Sequence, residues 1–204
     1  MNNPTQIFTN KAQDKYNNLK DSVDTSLQMR NVSYASTPQQ LDKIKSDIFN
    51  YLWHWPTIEI DENPVDKDFQ DLLLNREEAS VVLVNYQYSS GDPGIRATMA
   101  YYEFNFKGSI SALDLTVKNN RRFASFSSAG SRIKFFVYGQ GDRNAVAAKA
   151  KDNKQIFLNL VKANQKDMDE FVDSNVESFK VWVSLKVDAA FNVAVKKNND
   201  KNLL

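Results

Sequence analysis

The chain has one histidine, His54, set between two tryptophans in Trp53-His54-Trp55. An imidazole titrates near neutral pH and serves as a general base when a nucleophile and an orienting group lie within reach. The local sequence nominates neither. His54 therefore reads as an imidazole packed or exposed between aromatic neighbours. Cysteine is absent, which removes thiol nucleophiles, disulfides and zinc–thiolate centres. No catalytic, cofactor-binding or metal-ligating residue is assigned, and the chain is expected to be non-enzymatic.

Carboxylates crowd one stretch: Glu59, Asp61, Glu62, Asp66, Asp68 and Asp71. A calcium loop of the EF-hand type needs alternating oxygen ligands, a glycine at the sixth position and a glutamate at the twelfth. This run lacks the glycine and is interrupted by Asn63-Pro64. Asp66 and Asp68 are expected in the first turn of a short helix, where the helix dipole favours carboxylates. Gly139-Gln140-Gly141 ahead of a helix resembles a phosphate loop only in part. Asn144 stands where a dinucleotide fingerprint wants its third glycine, and no Gly-Lys-Ser/Thr follows. Asp142 at the cap would repel an anion.

Binding chemistry is richest at Asn119-Asn120-Arg121-Arg122-Phe123-Ala124-Ser125-Phe126-Ser127-Ser128. Arg121, Arg122, Phe123 and Phe126 interleave guanidinium groups with aromatic rings, and Arg132, Lys134 and Arg143 extend the basic character. Such a set suits phosphate contact with base stacking. It suits a protein interface equally well. The plain alternative is a surface loop that tucks its two phenylalanines into the core.

These residues need elements to hold them. Phe8, Ala12, Tyr16, Leu19, Val23 and Leu27 recur at three- and four-residue spacing, which predicts an amphipathic helix. Thr37-Pro38-Gln39-Gln40 is a capping signature for a second helix with Leu41, Ile44, Ile48, Leu52 and Trp55 on its apolar face; Pro56 stops it. Thr57–Ile60 reads as a short strand, and Asn63-Pro64 as the start of a third helix. A period of two follows. Val82 to Tyr88 and Thr98 to Phe106 read as a hairpin around Ser89–Gly94, Ile110 to Val117 as a third strand and Ile133 to Val137 as a fourth. Asn119 to Ser131 reads as a loop or irregular edge. A helix begins after Asp142 and runs toward Phe171.

The C-terminal pattern is the strongest. Every odd residue from Phe179 to Val195 is apolar, while the even ones are mostly polar, with Trp182, Ala190 and Ala194 as exceptions. Strict alternation predicts a strand. At roughly 3.3 Å per residue it would extend about 55 Å. The odd face is expected to cover the subunit's own core. The even face, with Lys180, Trp182 and Lys186, is expected to meet solvent, a lumen or a neighbouring subunit.

The 204 residues carry 42% hydrophobic and 25% charged side chains with a net charge of +1. This is the composition of a globular chain with no bulk electrostatic footprint for nucleic acid or membrane. No apolar run reaches the length of a signal peptide or a membrane span. The expected fold class is α+β: N-terminal helices packed on an antiparallel sheet, with a C-terminal helix and a long closing strand. A single domain over 1–204 is expected, helical over about 6–75, sheet-rich over about 79–196, with a polar tail at 197–204.

In its long C-terminal strand and its hairpin around Gly91 the chain is similar in kind to tail, neck and connector ring proteins of tailed bacteriophages. That similarity implies a structural subunit of a homo-oligomeric ring, in a virion or in host cytoplasm during assembly. Its partners would be its own copies and other structural proteins, with nucleic acid reached only through the basic loop, and no membrane or cofactor. Over about residues 8–138 the order also resembles NTF2-like domains and the VirB8-like scaffolds of type IV secretion systems, which implies an interaction scaffold. A small-ligand binder using the aromatic cluster around Tyr86, Tyr88, Tyr101 and Tyr102 is a third expectation.

Overall fold

The computed structural model describes residues 5–8, 10–30, 32, 35, 37–83, 93–117 and 122–201, with backbone alone at 5–6, 122–124 and 200–201. Their elements are β1 (Thr5–Ile7), β2 (Asn10–Lys11), α1 (Ala12–Met29), α2 (Pro38–Leu52), β3 (Ile58–Ile60), β4 (Asp66–Leu74), α3 (Arg76–Val82), β5 (Ile95–Gly108), a 3-10 turn (Ile110–Asp114), β6 (Leu115–Thr116), β7 (Arg122–Ala129), β8 (Arg132–Gly139) and α4 (Arg143–Lys201). Helices plus an antiparallel sheet and a C-terminal helix make an α+β fold.

Two compact units emerge. The first comprises described residues within 1–9 and 56–167, the second those within 10–55 and 168–204. Helix α4 contributes its N-terminal part to the first and its C-terminal part to the second.

In the first unit a six-stranded antiparallel sheet runs in the order β1-β7-β8-β5-β3, with β4 also paired to β5. Alternation sorts the side chains of β5 and β8 onto two faces. Ala100, Phe104, Phe106, Ile133, Phe135 and Val137 meet Val146, Ala150, Phe157 and Val161 of α4. Phe135 stacks on Phe157 with ring centroids 4.9 Å apart. The opposite face carries Ile95, Ala97, Phe136 and Tyr138 against Leu74 and against Ala79 of α3. Gly108 ends β5 at φ +90°, and an added Cβ would lie 2.1 Å from the Thr57 carbonyl oxygen. Only glycine fits both constraints.

In the second unit α1, α2 and the C-terminal part of α4 share one core. Tyr16, Val23, Ile48, Phe179, Val183 and Val187 are buried together. Around Phe179 stand Trp53 at 4.9 Å, Phe49 at 6.1 Å and Tyr16 at 6.1 Å between ring centroids. The capping signature forms as its residues dictate. Thr37 Oγ1 accepts from the Gln40 amide and Gln40 Oε1 accepts from the Thr37 amide.

Several sequence expectations are corrected. Phe179–Val195 is helix, not a strand, because α4 continues unbroken to Lys201. The odd-numbered apolar set is two rows of four-residue spacing. One is Phe179, Val183 and Val187, all buried; the other is Val181, Leu185, Ala189 and Val193, all exposed. Trp182, Ala190 and Phe191 pack with the buried row and complete a helical stripe. The tail likewise continues the helix through Lys201.

Asp66–Leu74 is the strand β4, not a helix, since all nine of its residues pair with β5. Tertiary pairing overrides the local start signal there. Arg122–Ala129 is the strand β7, not a loop, pairing with β1 on one side and β8 on the other. Ile110–Asp114 is a 3-10 turn, and only Leu115–Thr116 of that expected strand is extended. Of the expected strand from Val82 to Tyr88, Val82 closes α3 and residues 84–88 lie outside the described residues. Tyr86 and Tyr88 lie outside with them.

Candidate functional site

Two exposed surfaces are built differently. The first is the part of the sheet face that α3 leaves open. In register, Asp66 stands opposite Glu103 and Asp68 opposite Tyr101. Glu103 is opposite Lys134 in turn. Arg132 donates to Glu103 Oε1 at 2.9 Å, and Lys134 Nζ lies 3.1 Å from Oε2. These two cations hold the Glu103 carboxyl below its ordinary value. The Tyr101 hydroxyl donates to Asp66 Oδ2 at 3.0 Å, which raises the phenol above its usual value. Lys134 Nζ also sits 4.2 Å from the centroid of the Tyr101 ring. Beside these groups lies an open groove of about 380 Å³, lined by Gln70, Met99, Tyr101 and Lys134 among others.

Near the start of α4, Arg143 donates to Asp71 at 2.6 Å and Thr98 Oγ1 donates to the same carboxylate at 3.1 Å. The Arg143 bond, followed by the Thr98 bond, lowers the Asp71 carboxyl, and the same pair raises Arg143. Lys162 pairs with Glu62 and lowers that carboxyl as well. Both faces of this unit thus carry charges neutralised within the chain.

The expected basic patch is accordingly redistributed. Arg121 lies outside the described residues. Arg122 and Phe123 sit in β7 opposite Ile7 and Gln6 of β1. Phe126 is half-buried against the sheet core, opposite Phe135. Arg132, Lys134 and Arg143 each hold a carboxylate rather than forming one continuous basic surface.

Lys180, Trp182 and Lys186 belong to the second unit. Lys180 pairs with Glu177 at 2.6 Å, with its ammonium 5.6 Å from the Phe49 ring centroid. Trp182 Nε1 donates to the Lys20 carbonyl at 3.3 Å, and Lys186 bonds Asp24 at 2.7 Å. Trp182 and Lys186 therefore contact α1 of their own chain. His54 is exposed beyond the end of α2, and its imidazole has no hydrogen-bond or ion-pair partner among the described residues.

The second surface is the outer row of α4. Val181 is 57% exposed, Leu185 61% and Val193 69%, with exposed Ala189 between them. Strict alternation assigns these residues to the core. Their four-residue spacing, set two positions away from Phe179, Val183 and Val187, is the signal that separates them. Asp173 precedes this row by two turns and Glu177, paired with Lys180, by one, and Lys196 and Lys197 follow it.

Known proteins offer no match. Comparison returns no matching family model, no matching curated protein and no matching solved structure. Among the described residues no three His, Cys, Asp or Glu side chains are arranged to hold a metal ion. No described helix is long and apolar enough to cross a membrane.

Proposed function

We propose that this chain is a non-enzymatic structural subunit that assembles with copies of itself. One observation carries the reading: the apolar row Val181, Leu185, Ala189 and Val193 stands exposed on a helix whose other side is packed. Scattered apolar residues on a surface need no explanation, but a contiguous row is the mark of an interaction site. The sheet face supports the same reading, because its acids and bases are paired with one another rather than poised as an acid–base couple.

The narrower proposal is a bacteriophage virion component such as a tail, neck or connector ring protein. It rests on kind: a small α+β subunit with near-neutral charge and no cysteine. Sedimentation equilibrium at micromolar concentration tests the assembly. A species of two or more chains is expected, and a chain that stays monomeric throughout overturns the proposal. Negative-stain images test the narrower part, which predicts closed rings under assembly conditions.

A further inference from the structure

We infer that the Asp66 and Asp68 carboxylates close the outer edge of β4 against strand addition, so that a second chain does not extend the sheet there. This holds whether or not copies associate through α4. β1 and β3 have three residues each, while β4 has nine. All nine pair with β5, and no other described strand pairs with β4. A strand of that length presents a row of backbone donors and acceptors that another chain can pair with. Aspartate is disfavoured in strands, yet β4 holds Asp66, Asp68 and Asp71. Asp71 holds Arg143. The other two hold the backbone of β4 itself.

Register identifies the outward amides. The Phe106 amide of β5 donates to the Ser131 carbonyl, on the β8 side. Backbone groups alternate in direction along a strand, so odd-numbered residues of β5 turn theirs toward β4. Their partners there are Asp66, Asp68, Gln70, Leu72 and Leu74. The amides of Lys67, Phe69, Asp71 and Leu73 therefore point outward. Asp66 Oδ1 accepts from the Lys67 amide at 2.8 Å, and Asp68 Oδ1 accepts from the Phe69 amide at 2.7 Å. The Tyr101 hydroxyl holds Asp66 Oδ2 at 3.0 Å and fixes that carboxylate. Past Leu73 the edge ends, because Asn75 caps α3 and the chain turns away. An incoming strand thus loses the first two outward amides and brings its own carbonyls against two carboxylates, which is unfavourable.

Three double variants of the full-length chain test this. Asp66→Ala with Asp68→Ala removes both acceptors. Asp66→Asn with Asp68→Asn removes the charge but keeps an acceptor oxygen at each position. Asp152→Ala with Asp173→Ala removes the same charge from exposed positions of α4. All are incubated beside the wild type at equal concentration, with circular dichroism to confirm the fold at the start. Thioflavin T and infrared absorption report intermolecular sheet, and hydrogen exchange read by mass spectrometry locates it. The alanine pair at 66 and 68 is expected to form such sheet at least about tenfold faster than the wild type, as removal of edge gatekeepers does. New protection is expected over residues 66–74. The asparagine pair and the α4 pair are expected to behave as the wild type.

A folded alanine pair that forms no more intermolecular sheet than the wild type overturns the inference. Sheet without new protection over residues 66–74 overturns it too. Equally fast sheet in the asparagine pair or the α4 pair assigns the block to net charge rather than to the two held amides, and the inference falls. If the double alanine variant does not fold, Asp68→Ala alone is read in the same way, since it leaves the Tyr101 bond to Asp66 in place.

Discussion

The open sheet face and the outer row of α4 are both exposed to solvent, yet their side chains are satisfied in opposite ways. On the sheet, Glu103 lies between Arg132 and Lys134, Tyr101 bonds Asp66, and Asp71 holds Arg143. Exposed pairs of this kind contribute little to stability, but they leave each charge with a partner in its own chain. On α4, Val181, Leu185 and Val193 keep more than half of their surface in water, and hydration of apolar side chains is what burial against a second surface relieves. The difference shows that exposure alone does not mark an interaction surface. What marks it is exposure of groups that gain from being covered.

The largest effect that sharpens this contrast lies within one helix. Phe179→Ala empties a fully buried position, and a loss of about 3–5 kcal/mol in unfolding free energy is expected. Leu185→Ala, further along on the exposed row, is expected to change the unfolding free energy of the isolated chain by less than about 0.5 kcal/mol. Urea titration of both variants at low protein concentration makes the comparison. Equal losses would erase the distinction between the rows.

Smaller effects belong to the sheet face. The Glu103 and Asp71 carboxyls are lowered in the folded chain. Their contribution is present above the ordinary carboxylate range and is lost as pH falls through the lowered values. Acid unfolding should therefore shift to higher pH in Glu103→Gln. The Tyr101 phenol is raised by its bond to Asp66. Its contribution holds below the ordinary phenol value and is lost as pH rises through the raised one. Asp66→Asn should lower the Tyr101 titration midpoint read by ultraviolet absorbance.

Local signals were legible where local physics decides. The cap at Thr37, the apolar faces of α1 and α2, the alternation of β5 and β8 and the helix start after Asp142 all follow from residues close in sequence. The acidic strand β4 was not legible, because its conformation comes from pairing with β5. Nor was β7, whose polar sequence is held extended by β1 and β8.

The alternation from Phe179 to Val195 misled for a different reason. Two helical rows spaced by four and offset by two produce the same sequence as a strand with one apolar face. Two signals separate the alternatives. The segment Arg143–Lys201 contains no glycine or proline across 59 residues, and Trp182 and Ala190 break the alternation at helical spacing. A fully buried strand face would leave no exposed apolar row, so the candidate interface emerged only with the helix. Trp182 and Lys186, expected at an interface, contact α1 of their own chain.

The central claim is that α4 carries the self-association surface, and sedimentation equilibrium of the wild type beside Leu185→Asp tests it most directly. The wild type is expected at twice the chain mass of 23.3 kDa or a higher multiple. Leu185→Asp is expected as a folded single chain with its association weakened at least about a hundredfold, equivalent to about 2.7 kcal/mol. An oligomer of unchanged mass and affinity in Leu185→Asp would contradict it.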